Sequence, residues 1–192
     1  MERKWQRASR LMKECAANSA LFFTGDKEST LLLELRKGLD IPIIFVDTGL
    51  YSEELYHYLK LAEEHWGFNA IVLKDEKVVE ESTAFGKEEC YKLLKEKVVV
   101  PYLKKEEIFT LIEPMKVEKA VVKNDKVKEV HPLSGFSELE IWQLIKDHNL
   151  PYCWLYTKGY KDVGCEPCSK SETSKEEDEE EVSRRLKSLG YL

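Results

Sequence analysis

The sequence has no apolar run approaching the ~18 residues that a membrane-spanning helix requires, and its opening, Met1-Glu2-Arg3-Lys4-Trp5, lacks the apolar core of a secretion signal. Neither membrane insertion nor export is expected, and the chain reads as cytoplasmic. Positive charge is also short. The 30 Lys and Arg face 36 Asp and Glu, giving a formal net charge of −6, and no Arg occurs between Arg36 and Arg184. Binding along a nucleic-acid backbone needs clustered Lys and Arg, so nucleic acid is not an expected partner and any phosphate chemistry must be local. The Walker pattern is missing, which disfavours a P-loop nucleoside triphosphatase. Cysteines number five in 192 residues. In a reducing compartment these point to metal or redox use rather than to a disulfide framework. With no internal repeat and no linker-like stretch, one domain over residues 1–192 is expected, with 169–192 as a helical tail.

What is present is an alternation of apolar strands and amphipathic helices. Trp5, Ala8, Met12, Cys15 and Ala16 share one helical face, and Cys15 reads as a core residue. The run Ala20-Leu21-Phe22-Phe23, then Thr24-Gly25-Asp26-Lys27-Glu28-Ser29-Thr30, then leucines 31, 32, 33 and 35, reads as strand, turn and helix. A second strand over 41–46 stops at Asp47-Thr48-Gly49. The helix after it has Ser52 as a cap, Glu53 and Glu54 at its positive end, and Gly67 to close it. Ala70 to Leu73 makes a third strand. This order predicts an α/β fold, a doubly wound and mostly parallel sheet with helices on both faces. Residues 76–130 are less regular: a helix around Cys90 and a hairpin over 117–130 turning at Asn124-Asp125 are expected. Ser137 and Glu140 have capping-box spacing ahead of a helix that Asn149 and Pro151 stop, and Ser174 with Glu177 repeats that spacing in the tail.

Ligands in such sheets bind beyond the carboxyl ends of the strands, which puts Thr24 to Ser29 and Asp47 on one crevice. A small polar turn entering a helix offers backbone N–H groups and the positive helix end to phosphate oxygens. Lys27 would add charge, and Thr24, Ser29 and Thr30 hydroxyl donors, all on an exposed turn.

The run Thr24-Gly25-Asp26-Lys27-Glu28-Ser29 resembles the Ser-Gly-Gly-Lys-Asp-Ser signature of the PP-loop superfamily. Asp47-Thr48-Gly49 with Tyr51, Glu53, Glu54 and Tyr56 is similar to a segment of its sulfonucleotide reductases and of the small subunit of bacterial sulfate adenylyltransferase. A third match runs through His131-Pro132-Leu133-Ser134-Gly135-Phe136, Glu140-Ile141-Trp142, Leu150-Pro151-Tyr152 and Gly159 to Cys168. Together these resemble the phosphoadenylyl-sulfate reductase family.

The resemblance implies an adenine nucleotide alpha-hydrolase-like fold and a sulfur-assimilation enzyme that binds ATP, adenylyl sulfate (APS) or its 3′-phosphorylated form (PAPS). The nucleotide would lie at Thr24, Gly25, Asp26, Lys27, Ser29, Thr30 and Asp47, with Lys95 where the family's post-cysteine lysine falls. Cys165-x-x-Cys168 and Cys90 match three ligands of a four-iron four-sulfur (4Fe-4S) cluster, Tyr91 replacing the fourth. Zinc with Cys153 or His131 is the other donor set. The resemblance further implies an electron-donor protein or partner subunit and a homo-oligomer. Two other activities stay open: adenylyl transfer from ATP, as in the sulfate adenylyltransferase small subunit, and a non-catalytic nucleotide- or cluster-binding subunit. The sequence also departs from the family pattern in its charges and its C-terminal cysteine. Asp26 stands for a glycine and Glu28 for an aspartate, so carboxylates flank the expected phosphates and Mg²⁺ is expected to accompany the nucleotide. No cysteine follows Cys168, so the family's C-terminal nucleophile has no match in this sequence.

Overall fold

The structure, a computed structural model, describes residues 1–117, 120–123 and 127–167. Helix α1 (Glu2–Cys15) leads into β1 (Ser19–Phe22), α2 (Lys27–Arg36), β2 (Ile43–Val46), α3 (Glu53–Trp66) and β3 (Ile71–Leu73). After these come α4 (Glu76–Ser82), α5 (Lys87–Leu94), a π-helical turn at Lys95–Val99, α6 (Val100–Lys105) and β4 (Thr110–Ile112). The described chain closes with β5 (Val121–Lys123), β6 (Lys128–Val130), α7 (Glu138–Asp147) and a 3₁₀ segment, Trp154–Lys158. Among the described residues the strands form one six-stranded sheet in the order β3-β2-β1-β4-β6-β5. All neighbours are parallel except β5 against β6.

Alternation along the strands sorts side chains to the two faces. Leu21, Phe23, Ile43, Phe45 and Ile112 join one buried cluster with residues of α1, α2, α3 and α7. Ala20, Phe22, Ile44, Val46 and Leu111 join a second with Val78, Cys90, Leu94 and Leu103 from α4 to α6. Each Leu or Phe so removed from water contributes roughly 1.5–3 kcal/mol. Helices therefore cover both faces, as the apolar runs predict.

Several local expectations hold. Ser137 accepts the Glu140 N–H while the Glu140 side chain takes the Ser137 N–H, a complete capping box. Gly67 closes α3 in the left-handed region. Ser52 does occupy the N-cap of α3, but its side chain makes no capping hydrogen bond. In the middle of the chain, β5 and β6 form the expected hairpin, whose turn at Asn124-Asp125 lies outside the described residues. The sequence reading did not separate β4, and β4 is central: it pairs with β1 on the side away from β2. The capping-box spacing at Ser174 and Glu177 also falls outside the described residues.

Candidate functional site

The chain progresses from β1 through β2 to β3 in one direction, then returns to lay β4 on the other side of β1. The connections leaving the carboxyl ends of β1 and β4 therefore diverge, and a crevice opens between them. A cavity of about 810 Å³ occupies that place. Its walls come from the turn after β1 (Thr24, Asp26, Lys27, Glu28), the segment after β4 (Pro114 to Val117), helix α5 and the segment Lys161 to Cys165.

The turn after β1 is shaped by packing as well as by conformation. Gly25 sits at φ +79, a conformation that favours glycine, and a Cβ added there would lie 2.1 Å from Leu55 Cδ1, so that side chain would have to move. Asp26 is the N-cap of α2, its Oδ1 accepting the Ser29 N–H at 2.7 Å. The Lys27 N–H donates to the Tyr156 hydroxyl at 3.0 Å. Ser29 Oγ and Thr30 Oγ1 both donate to the Asp26 carbonyl, and Thr30 Oγ1 also meets the Tyr58 hydroxyl. Thr24 Oγ1 is buried with no hydrogen-bond partner among the described residues.

The turn is not exposed, which corrects the expectation from sequence: Lys27 is 2% and Ser29 0% accessible. Helix α2 packs against both α1 and α7. Lys27 Nζ meets the Lys161 carbonyl at 3.2 Å and lies 3.4 Å from Asp162 Oδ1, 3.5 Å from Glu138 Oε1 and 3.8 Å from Glu28 Oε2. Burial disfavours its charge, but Glu28, Asp162 and Glu138 outweigh that, and the pKa is raised. Glu28 is itself buried and pairs with Lys116 at 3.0 Å. Burial, followed by Asp26, raises its pKa against the pull of the two lysines.

A second polar cluster lies deeper along the same wall. The Tyr91 hydroxyl donates to Glu113 Oε2 at 2.7 Å, and Lys95 Nζ bridges Glu113 Oε1 at 3.2 Å and Glu129 Oε1 at 3.1 Å. Glu113 is completely buried. Burial opposes the Lys95 charge, and Glu113 with Glu129 reverses the balance, so its pKa is raised. Sequence reasoning passed over Glu113, Lys116 and Asp162. A signal existed for the first two, since Thr110-Leu111-Ile112 before Glu113-Pro114 is an apolar run ended by a breaker.

Cys90 and Cys165 line this cavity and belong to the same buried cluster. Both lie close enough to Tyr51 to push its pKa up further, after the larger effect of burial. Cys153 belongs to the cluster on the other side of the sheet, where burial drives its thiol pKa to about 11. His131 is buried with Nε2 4.0 Å from Glu129 Oε2 and does not line the cavity. Neither supplies a fourth ligand beside Cys90 and Cys165. Among the described residues no group of three or more His, Cys, Asp or Glu is arranged to hold a metal. Cys168 lies outside them. Two described thiols fit part of a thiolate-bound group and do not complete one.

The cavity thus gathers Thr24, Asp26, Lys27, Lys95, Cys90 and Cys165. Gly25, Ser29 and Thr30 shape the turn from behind it. Asp47 is turned away, with its Oδ1 accepting from the Gly49 N–H at 2.8 Å and the Tyr56 hydroxyl at 2.6 Å, while its neighbour Thr48 reaches the cavity.

Sheet order and crevice define a mostly parallel α/β protein with a ligand cavity beyond the carboxyl ends of β1 and β4. The fold is shared with the phosphoadenylyl-sulfate reductase of Candida auris, at a TM-score of 0.67 and 14% identity over 83% of this chain and 88% of that one. It is shared also with the FMN adenylyltransferase of Candida glabrata, at 0.62 and 14% over 85% and 60%. The model of the phosphoadenosine phosphosulfate reductase domain matches residues 18–171, and the chain belongs to that family. Among curated relatives, an uncharacterized protein of Methanocaldococcus jannaschii is 29% identical over 76% of this chain and 35% of its own length. An adenosine 5′-phosphosulfate reductase of Geobacillus thermodenitrificans is 28% identical over 68% of this chain and 63% of its own. The chain thus matches about a third of the first relative and under two thirds of the second. No helix among the described residues is long and apolar enough to cross a membrane.

Proposed function

We propose that this chain binds the adenylate of an adenylyl sulfate, APS or PAPS, in the cavity between the ends of β1 and β4, as a sulfonucleotide reductase-type protein of sulfur assimilation. One observation carries this reading: the Lys27 turn and the Cys90 and Cys165 thiols share a single cavity, which sets an anion-binding turn beside sulfur chemistry. The adenosine phosphosulfate reductases among the relatives support it.

In this reading Lys27 and Lys116 neutralise the phosphosulfate, and Lys95, held by Glu113 and Glu129, does so from the α5 side. Their contribution is positioning and charge neutralisation. A cysteine-bound cluster or zinc would be held by Cys90, Cys165 and Cys168 and would supply redox or Lewis-acid chemistry there. A thiol or electron donor comes from a partner protein.

Asp26 and Glu28 favour a second reading. Carboxylates beside a phosphate site repel a bare polyphosphate and suit one that arrives with Mg²⁺, as in adenylyl transfer from ATP. Calorimetry with APS, PAPS and ATP, each with and without Mg²⁺, separates the two. Tight binding of an adenylyl sulfate without metal is the expected result, metal-dependent binding of ATP alone selects the second reading, and no binding of any adenine nucleotide overturns both.

A further inference from the structure

We infer that Asp162 is an internal anion that holds Lys27 in the absence of ligand, so that an anionic ligand must displace its carboxylate to reach the ammonium. This rests on the reading that the cavity takes an adenine nucleotide, and it concerns which ligands the cavity admits and how tightly.

The geometry is that of a bridge across the cavity wall. Asp162 Oδ1 lies 3.4 Å from Lys27 Nζ at the start of α2, and its Oδ2 lies 3.1 Å from Lys87 Nζ at the start of α5. The same segment places the Lys161 carbonyl on Lys27 Nζ at 3.2 Å. These contacts leave the Lys27 side chain 3% exposed although the residue borders a large open cavity. The Asp162 side chain is 39% exposed, so it has room to turn into solvent once released.

The segment that carries Asp162 is tied at both ends by backbone hydrogen bonds. Gly159 turns the chain at φ +89, the Tyr160 N–H donates to the Leu155 carbonyl at 3.2 Å, and the Glu166 N–H donates to the Leu50 carbonyl at 2.8 Å. Between those anchors, Lys161 and Asp162 reach Lys27 and Lys87. Withdrawal of one carboxylate therefore takes a counter-ion from two ammonium groups without undoing either anchor, and leaves Lys27 with Glu138 at 3.5 Å and Glu28 at 3.8 Å. A second internal carboxylate works in the same place, since Asp26 takes the Ser29 N–H that the start of α2 would offer an oxyanion. Lys27 and Lys87 thus have a counter-ion within the chain, and Thr24 Oγ1 remains as a buried polar atom with no partner among the described residues.

A ligand that needs a minor conformer binds more weakly by the fraction of molecules in that conformer. If release of Asp162 is populated at about one part in ten, removing its charge tightens anion binding by about tenfold. The test is calorimetric titration of the full chain and of Asp162→Asn with APS, with inorganic pyrophosphate and with uncharged adenosine. The expected result is about tenfold tighter binding of both anions by the variant and no change for adenosine. The gain disappears in a Lys27→Met background, which a merely structural role for Asp162 would not explain. Asp162→Ser gives the same reading should the asparagine variant fold poorly. APS binding that is unchanged or weakened by both Asp162 variants overturns the inference while leaving the nucleotide reading intact. Tighter pyrophosphate binding with no nucleotide binding keeps the inference and removes that reading. No anion binding to any form overturns both.

Discussion

The Asp26 carboxylate and the Ser29 amide, 2.7 Å apart, close the first turn of α2. An oxyanion arriving at this turn meets a helix end whose amide already has a partner. The same bond is a cap, and its loss is a stability effect separate from ligand binding. Replacing a capping Asp by Ala costs about 1 kcal/mol, while Asn keeps an acceptor oxygen. Asp26→Ala is expected to lower the unfolding free energy by about that amount and Asp26→Asn by less than half of it, read from urea denaturation. Equal losses in the two variants would mean that charge, not the cap, carries the stabilisation.

Lys95 balances two carboxylates, one of them on the completely buried Glu113. Removing the ammonium leaves buried charge without compensation, a change that typically costs about 3–5 kcal/mol. Lys95→Met should therefore destabilise by about 3 kcal/mol. Adding Glu113→Gln to it should restore part of the loss, because the uncompensated charge is then gone. A double variant no more stable than Lys95→Met would show that Lys95 acts through packing.

The Lys4 ammonium holds Glu140 at 2.6 Å and ties α1 to the capping box of α7. The lysine, then the Ser137 N–H, draw the Glu140 pKa from 4.5 down to about 2. Because the folded value lies below the unfolded one, the stabilisation is complete above about pH 4.5 and is lost as pH falls toward 2. The side chains are 39% and 22% exposed, so solvent screening limits the pair to under ~1 kcal/mol. Lys4→Met should be less stable than wild type by that margin at pH 7, and the difference should shrink steadily between pH 4.5 and 2. A difference that persists at pH 2 would assign the effect to packing of Lys4 over Phe136, whose ring centre is 5.7 Å from its nitrogen.

Strand, turn and helix up to Leu73 were legible because buried parallel strands, capping residues and helix-period apolar faces leave local marks. The Thr24 side of the crevice followed from the rule that ligands bind beyond the carboxyl ends of parallel strands, but its β4 side did not. The charge pattern inside it was not legible. Lys27 and Asp162 are 135 residues apart, and the sequence offers many lysines and many acids with nothing local to pair them. Asp47 shows a different limit. It lies at the end of β2 as expected, but a carboxylate followed by Thr48-Gly49 folds back on its own turn and on Tyr56 and does not line the cavity. Glu113 carried only the faint mark of Pro114 after it, because β4 is three residues long, too short to show alternation.

Cys90 and Cys165 face one cavity and act on the same phenol, Tyr51, although their helices and loops enter from different parts of the chain. With Cys168 they are the residues that would hold a thiolate-bound group, and the chain purified without oxygen is expected to carry iron with sulfide, or zinc. Ligation needs the thiolate. Burial raises the Cys15 thiol pKa and drives that of Cys153 to about 11, so these two stay protonated near neutrality and are unsuited to it. Cys90→Ser and Cys165→Ser should each lower the metal content, whereas Cys15→Ser and Cys153→Ser should retain it, as read by elemental analysis and the visible spectrum. Metal retained in full by both cavity variants would place its ligands elsewhere. Metal absent from wild type, with both cavity thiols titrating freely against a disulfide reagent, would instead make Cys90 and Cys165 thiols of the nucleotide cavity that act without a bound metal.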